Sequence, residues 1–262
     1  MPGFTIACMF TEERHQRILD WLAEAGRATV ADLALRLQVS DDTIRRDLRT
    51  LDEQGYLQKT HGGAVSLDVP RMARTQRADV LPQIKTQLAQ AAVAHILPHQ
   101  TLLLDAGQSV LAVAQALPDM PLTVITHALD VAVVLGDKTN IRLILAGGVW
   151  DARQRLFSGS DTLQQIAGYR ADWAIMGACA VHERLGVTAS EADDAAVKRA
   201  MLSGSANALL VADHSKINRI EPFFVADIAN FKHWFTDRNP AWQNQPAGLQ
   251  VLVPSHTQEK TA

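Results

Sequence analysis

Residues Ser40 to Leu51 read SDDTIRRDLRTL, with three arginines and three aspartates in twelve positions. On a helical wheel at about 100° per residue, Ile44, Leu48 and Leu51 fall within roughly 60° of one another and define a core face. Asp42, Arg45, Arg46, Arg49 and Thr50 project to the opposite side, and Asp41, Asp47 and Asp52 lie on the flanks. Ser40 stands where an N-cap is wanted, a position worth about 1 kcal/mol. Asp41 and Asp42 occupy the first turn, where the helix dipole favours negative charge. Two of the acids are therefore explained by capping, while the cations gather outward. A merely solvated amphipathic helix has the same wheel, so the neighbouring residues must decide.

Upstream, EERHQRILDWLAEAG places Ile18, Leu19, Leu22 and Ala25 at helical spacing, with Gly26 as the stop. Thr29 followed by Asp32 resembles a capping box, with Asp in place of Glu, and opens the short helix ADLALRLQ. Gln38–Val39 then makes the turn into the cationic helix. A helix, a short turn and a second helix with outward arginines is the arrangement that major-groove insertion requires. Downstream, Gly55 ends the helix, Tyr56-Leu57-Gln58-Lys59 reads as a strand, His61-Gly62-Gly63 as a tight turn, and Ala64-Val65-Ser66-Leu67 as the returning strand. That hairpin is a wing, with Lys59, Thr60 and His61 placed to meet phosphate or the minor groove.

From about Leu81 the texture changes. Apolar runs alternate with helical ones: TLLLD then SVLAVAQAL, LTVIT then ALDVAVVL, IRLILAGG then SDTLQQIAG, ADWAIMG then EADDAAVKRAML, followed by NALLVAD, KHWFTD and LQVLVP. Continuous apolar strands interleaved with helices indicate an α/β domain with a mostly parallel sheet covered on both faces. The expected organisation is residues 11–67 as a winged helix-turn-helix domain, 68–81 as a linker and 82–253 as the larger α/β domain.

Composition sets limits. The 262 residues are 47% hydrophobic and 20% charged, ordinary for a globular protein, and the net charge of −3 argues against indiscriminate nucleic-acid binding. The first 67 residues carry eight Lys+Arg against ten Asp+Glu, a net of −2, so any DNA contact must come from local patterning. Cys8 and Cys179 lack motif spacing, so neither a disulfide framework nor a metal site is indicated. The opening MPGFTIACMF lacks a basic start and a cleavage site, and no apolar run reaches membrane-spanning length. A cytoplasmic protein without membrane, metal or cofactor is expected, since neither GxGxxG nor a Walker A sequence occurs.

Residues 12–65, through the run VS-x-x-TIRRDL-x-x-L-x-x-x-G-x-L-x-x-x-HGGA, resemble the winged helix-turn-helix of the DeoR family of bacterial transcriptional regulators. The resemblance implies double-stranded operator DNA as partner. The residues expected to face it are Ser40, Asp42, Thr43, Arg45, Arg46 and Arg49 on the helix, with Lys59, Thr60 and His61 on the wing. Arginine bonds guanine O6 and N7 in bidentate fashion or clamps a phosphate. Asp42 either accepts from cytosine N4 or serves the helix start. Asp47 is expected to orient a neighbouring arginine.

In parallel sheets ligands collect beyond the carboxyl ends of strands, where helix N-termini meet anions. Gly107 would let backbone approach a ligand and Ser109 would cap a helix and donate to phosphate. Thr126-His127, Gly147-Gly148 and Asp213 with Lys216 occupy similar strand ends, and Lys198 offers a point charge. Each alone has a plain alternative: a Gly-Gly turn, a hydrogen-bonded histidine, a solvated lysine. Residues 82–237 resemble the DeoR-type C-terminal sensor domain, whose fold is similar to ribose-5-phosphate isomerase. That resemblance implies an effector site of Asp105, Gly107, Gln108, Ser109, Thr126, His127, Gly147, Gly148, Lys198, Asp213 and Lys216. Gln108 stands where the family has Thr or Ser, and His127 where it has Asn. The expected function is a repressor of carbohydrate or polyol genes controlled by a phosphorylated sugar or polyol, working as a homo-oligomer, dimer or tetramer. The alternative, a sugar-phosphate isomerase-like enzyme fused to a DNA-binding domain, rests on fold analogy alone, and no catalytic residue is expected.

Overall fold

The computed structural model describes residues 10–54, 56–66 and 80–254, apart from the side chains of Glu12, Ala23 and Glu24. The opening residues read above for a leader, Gly55 as helix stop, Leu67 of the wing, most of the 68–81 linker and the tail from 255 lie outside them. The chain divides into two compact units, one running to Met72 and including Ala78–Pro82, the other running from Gln83 and including Ala73–Arg77.

In the first unit α1 spans Thr11–Ala25, β1 Arg27–Thr29, α2 Val30–Leu37, α3 Asp41–Glu53, β2 Gln58–Thr60 and β3 Gly63–Val65. Gly26 ends α1 in the left-handed conformation (φ 73°), its N–H donating to Leu22 O. The Thr29 hydroxyl accepts from Asp32 N at 3.1 Å and donates to the Asp32 carboxylate at 2.7 Å, a capping box with Asp. The core is Ile18, Leu22, Leu33, Ile44, Leu48, Leu51 and Leu57. Ala25, expected in it, is exposed, at the last position of its helix. The strand β1 was not expected. It pairs with β3, which pairs in turn with β2, making a three-stranded antiparallel sheet where a two-stranded wing was anticipated.

The second unit opens with α4, Pro82–Val93, and holds β4 Thr101–Leu104, α5 Gln108–Ala116, β5 Leu122–Thr126, α6 Leu129–Leu135, β6 Ile141–Leu145, β7 Val149–Asp151, β8 Leu156–Ser158 and α7 Ser160–Gly168. It continues with β9 Ala171–Met176, β10 Ala180–His182, β11 Gly186–Ala189, α8 Ala192–Ser203, β12 Ser205–Val211, β13 Phe223–Ala226, β14 His233–Phe235 and β15 Gln250–Leu252. Seven strands form one parallel sheet in the order β15-β14-β12-β9-β4-β5-β6. Leu102, Leu103 and Leu104 of β4 are all fully buried, which requires cover on both faces. The chain builds outward from β4 to β6, returns to β9 on the other side of β4, and then builds to β15. The β4/β9 pair is therefore the switch point, the place where parallel sheets of this kind collect ligands. A second antiparallel sheet, β10-β11-β13, and the β7-β8 hairpin complete the unit. Among the described residues no helix is long and apolar enough to cross a membrane.

Candidate nucleic-acid interface and ligand site

Ser40 caps α3 as expected: its Oγ accepts from Thr43 N at 3.2 Å and lies 2.9 Å from the Thr43 hydroxyl. With Ile44, Leu48 and Leu51 buried, the opposite side of α3 is left to solvent, and Ser40, Asp42, Arg45, Arg46 and Arg49 are all exposed, Thr43 half-buried. Arg45 is drawn back toward the helix start, 3.2 Å from Asp42 and 3.7 Å from Asp41. Arg46 and Arg49 meet no acid among the described residues, so their cationic heads remain available. On the wing Lys59, Thr60 and His61 are exposed as well.

Two contacts fix this surface, and only one was foreseen in kind. Asp47 is buried, and its carboxylate takes Arg14 Nε at 2.5 Å, Arg14 Nη2 at 2.9 Å and His15 Nε2 at 3.0 Å. It does orient an arginine, but one on α1, and it lies in the core interface and not on a flank. The signal was present: Ile44, Asp47, Leu48 and Leu51 stand at i, i+3, i+4 and i+7, so Asp47 occupies a core position that demands a partner. The second contact is Asp52 Oδ1 accepting from Lys59 N at 2.9 Å, which ties the wing to the end of α3.

The expected effector residues gather along the carboxyl edge of the parallel sheet, but not all as foreseen. Gly107 (φ 127°) precedes α5 with open space around its α-carbon, so its requirement is backbone conformation. It is the N-cap position itself. Ser109, expected to cap, falls one residue inside the helix and makes no cap bond. Gln108 is the first helical residue and half-buried. Thr126 and His127 are buried at the end of β5; the Thr126 hydroxyl accepts from Ala128 N at 3.1 Å, and His127 O accepts from Phe157 N of the β7-β8 hairpin at 2.9 Å. Gly147 has free space around it, whereas a Cβ on Gly148 would lie 2.0 Å from Thr162 Oγ1 and 2.6 Å from Ser158 O. Gly148 thus allows close packing of the hairpin against α7.

Lys198 is no solvated lysine. Only 3% exposed, it donates to Asp105 Oδ2 at 2.6 Å and to Asp194 Oδ1 at 2.8 Å. Burial alone would push its ammonium down, but Asp105 and Asp194 outweigh that and hold it well above the usual lysine value. Asp213 is buried at the end of β12 and caps the short 3-10 turn His214–Lys216. Burial pushes its carboxyl up, yet Lys216, His214, Ser215 and Lys85 of α4 together hold it below the ordinary value. Lys85 and Asp194 were missed by the sequence reading, since their partners are remote in the chain or their helices weakly amphipathic.

Comparison with known proteins decides the family. The DeoR-like helix-turn-helix domain matches residues 14–69, and the DeoR C-terminal sensor domain matches residues 82–238. The chain belongs to the DeoR family of transcriptional regulators. It is similar to the HTH-type transcriptional repressor GlcR of Bacillus subtilis (strain 168), 33% identical over 88% of this chain and 90% of that one. The L-fucose operon activator of Haemophilus influenzae is 30% identical over 93% and 96% of the two chains, and the glycerol-3-phosphate regulon repressor of Escherichia coli (strain K12) 31% over 94% and 97%. Among solved structures, ribose 5-phosphate isomerase A of Methanocaldococcus jannaschii aligns with TM-score 0.39 and 15% identity over 52% of this chain and 54% of that one, too distant to inform function. The DeoR relatives match over nearly their whole length and are transcriptional regulators, not enzymes. The exposed face of α3 therefore belongs to a DNA-binding domain.

Proposed function

We propose that this DeoR-family regulator is a repressor of carbohydrate or polyol genes, and that a phosphorylated sugar or polyol bound at the carboxyl edge of the parallel sheet sets its affinity for operator DNA. DNA is met by Thr43, Arg45, Arg46 and Arg49 of α3 with Lys59, Thr60 and His61 of the wing, and Ser40 and Asp42 hold the start of the helix beside them. The relatives' names support the gene class, since they concern L-fucose and glycerol 3-phosphate. The effector reading is carried by one observation. Asp105, Gly107, Thr126-His127 and the Asp213–Lys216 turn, distant from one another in the chain, all lie at the ends of β4, β5 and β12 in one parallel sheet. Recognition of a repeated operator needs two α3 helices at fixed spacing, so the working form is a homo-oligomer in the cytoplasm, a dimer or tetramer.

A thermal-shift panel of sugar and polyol phosphates tests the reading. A ligand at 100 times its dissociation constant stabilises the native state by about 2.7 kcal/mol. Compounds that bind are then added to an operator-binding assay at fixed salt. A panel without a stabilising compound, or stabilising compounds that leave operator affinity unchanged, would overturn effector control.

A further inference from the structure

The two oxygens of Asp105 are treated very differently. The residue lies at the β4/β9 switch with no solvent exposure. Its Oδ2 accepts from Gly177 N at 3.0 Å and from Lys198 Nζ at 2.6 Å. Its Oδ1, equally sealed from solvent, meets no donor among the described residues. A buried carboxylate oxygen is a strong acceptor and is costly to leave bare, so such an atom at the switch point of a parallel sheet marks where a ligand's donor completes the bonding. Lys198, for its part, is held between Asp105 and Asp194, and the three together carry net negative charge. A phosphate placed there would be repelled by two carboxylates and could not reach an ammonium already spanning both.

We infer that Asp105 accepts hydroxyl groups of the effector through Oδ1, and that Lys198 is a positioning residue that holds the Asp105 carboxylate in place, not a phosphate ligand. The inference rests on the effector reading above and specifies its chemistry: the polyol end of the ligand faces the β4/β9 switch, and the phosphate is met elsewhere.

The test is a ladder of ligands on the full chain, with affinities measured by calorimetry: inorganic phosphate, ethyl phosphate, glycerol 3-phosphate, a hexitol 6-phosphate and the bare hexitol. In the wild type affinity rises with the number of hydroxyls. In Asp105→Asn the hydroxyl-free phosphates keep their affinity, and the hydroxyl-bearing ligands lose about tenfold or more, the weight of one hydrogen bond to a charged group. Asp105→Asn/Lys198→Met removes both charges of the pair and leaves only the partly exposed Asp194 carboxylate beside them, and it behaves as the single variant does. Loss of hydroxyl-free phosphate binding in the double variant alone makes Lys198 a phosphate ligand and overturns the inference. So does a hydroxyl-bearing ligand that binds Asp105→Asn as well as wild type, or a ladder on which nothing binds. If only the bare hexitol binds, and fails on Asp105→Asn, the phosphorylated-effector reading falls while the role of Asp105 stands.

Discussion

At the scale of single residues, Asp47 and Arg46 separate holding the recognition helix from using it. Asp47 and Arg14 are both buried and joined by two hydrogen bonds, so Asp47→Ala leaves a guanidinium sealed in the core without its counter-charge. Breaking a buried pair from one side costs about 3 to 5 kcal/mol. Urea denaturation followed by a signal from the first unit should show a loss of that order, and a variant within about 0.5 kcal/mol of wild type would mean the pair does not hold α1 to α3. Arg46 is exposed and meets no acid among the described residues, so Arg46→Ala should leave the denaturation curve unchanged and sharply weaken operator binding. If Arg46 clamps a phosphate, residual binding loses about 0.9 from its log–log salt slope; an unchanged slope with altered base preference places it on a base edge instead. His233 offers a pH readout in the other unit. Burial first, then His95 and Lys232, push its imidazole below the ordinary 6.5, against a pull upward from Gln250. The unfolded chain then takes up the proton first, so stability is complete above about 6.5 and is lost as pH falls toward the folded value. His233→Phe, set among Trp173 and Phe235, should flatten the fall in urea midpoint between pH 7 and 5.5, and an undiminished slope would assign it to another group.

Among the elements, the wing shows how one position without a side chain sets a surface. A Cβ on Gly63 would lie 2.1 Å from Ala28 O and 2.8 Å from Thr29 Cα, both backbone, so β1 and β3 must separate to admit it. Gly63→Ala should therefore displace Lys59, Thr60 and His61 and weaken operator binding more than Lys59→Ala does, with amide exchange rising across β1 and β3. Unchanged exchange and affinity would show that the sheet absorbs the methyl. The elements that were legible in the sequence share a cause. Strands β4, β5, β6, β9, β12, β14 and β15 lie in one sheet and read as short, mostly apolar runs, and α3 has a strong two-faced pattern opened by a good cap. Those that escaped are β1, the β7-β8 hairpin and the β10-β11-β13 sheet, with strands of three or four residues, too short for alternation to show. Helix α4, PQIKTQLAQAAV, hid because its buried side includes Lys85 and small alanines. The site followed the same division. Loops at strand ends were visible from the strands, but the burial of Lys198 arises from Asp105, ninety-three residues away, and no local pattern carries that.

For the molecule as a whole, regulation requires the effector and the operator to bias one equilibrium between states of the protein. The effector must bind those states unequally, because a ligand with equal affinity for both shifts nothing however tightly it binds. The coupling is then reciprocal: if the effector lowers operator affinity by some factor, saturating operator lowers effector affinity by that same factor. For a coupling of about 1 to 3 kcal/mol the factor is roughly 5 to 150, large enough to measure from both sides. Operator affinity with and without effector, and effector affinity with and without operator, should therefore close into one thermodynamic cycle, provided protein concentration is held constant. Equal factors place both ligands on one two-state protein. An effector that changes operator affinity while its own affinity ignores the operator would mean that it acts on something outside that cycle, and that the sheet-edge site does not govern the exposed face of α3.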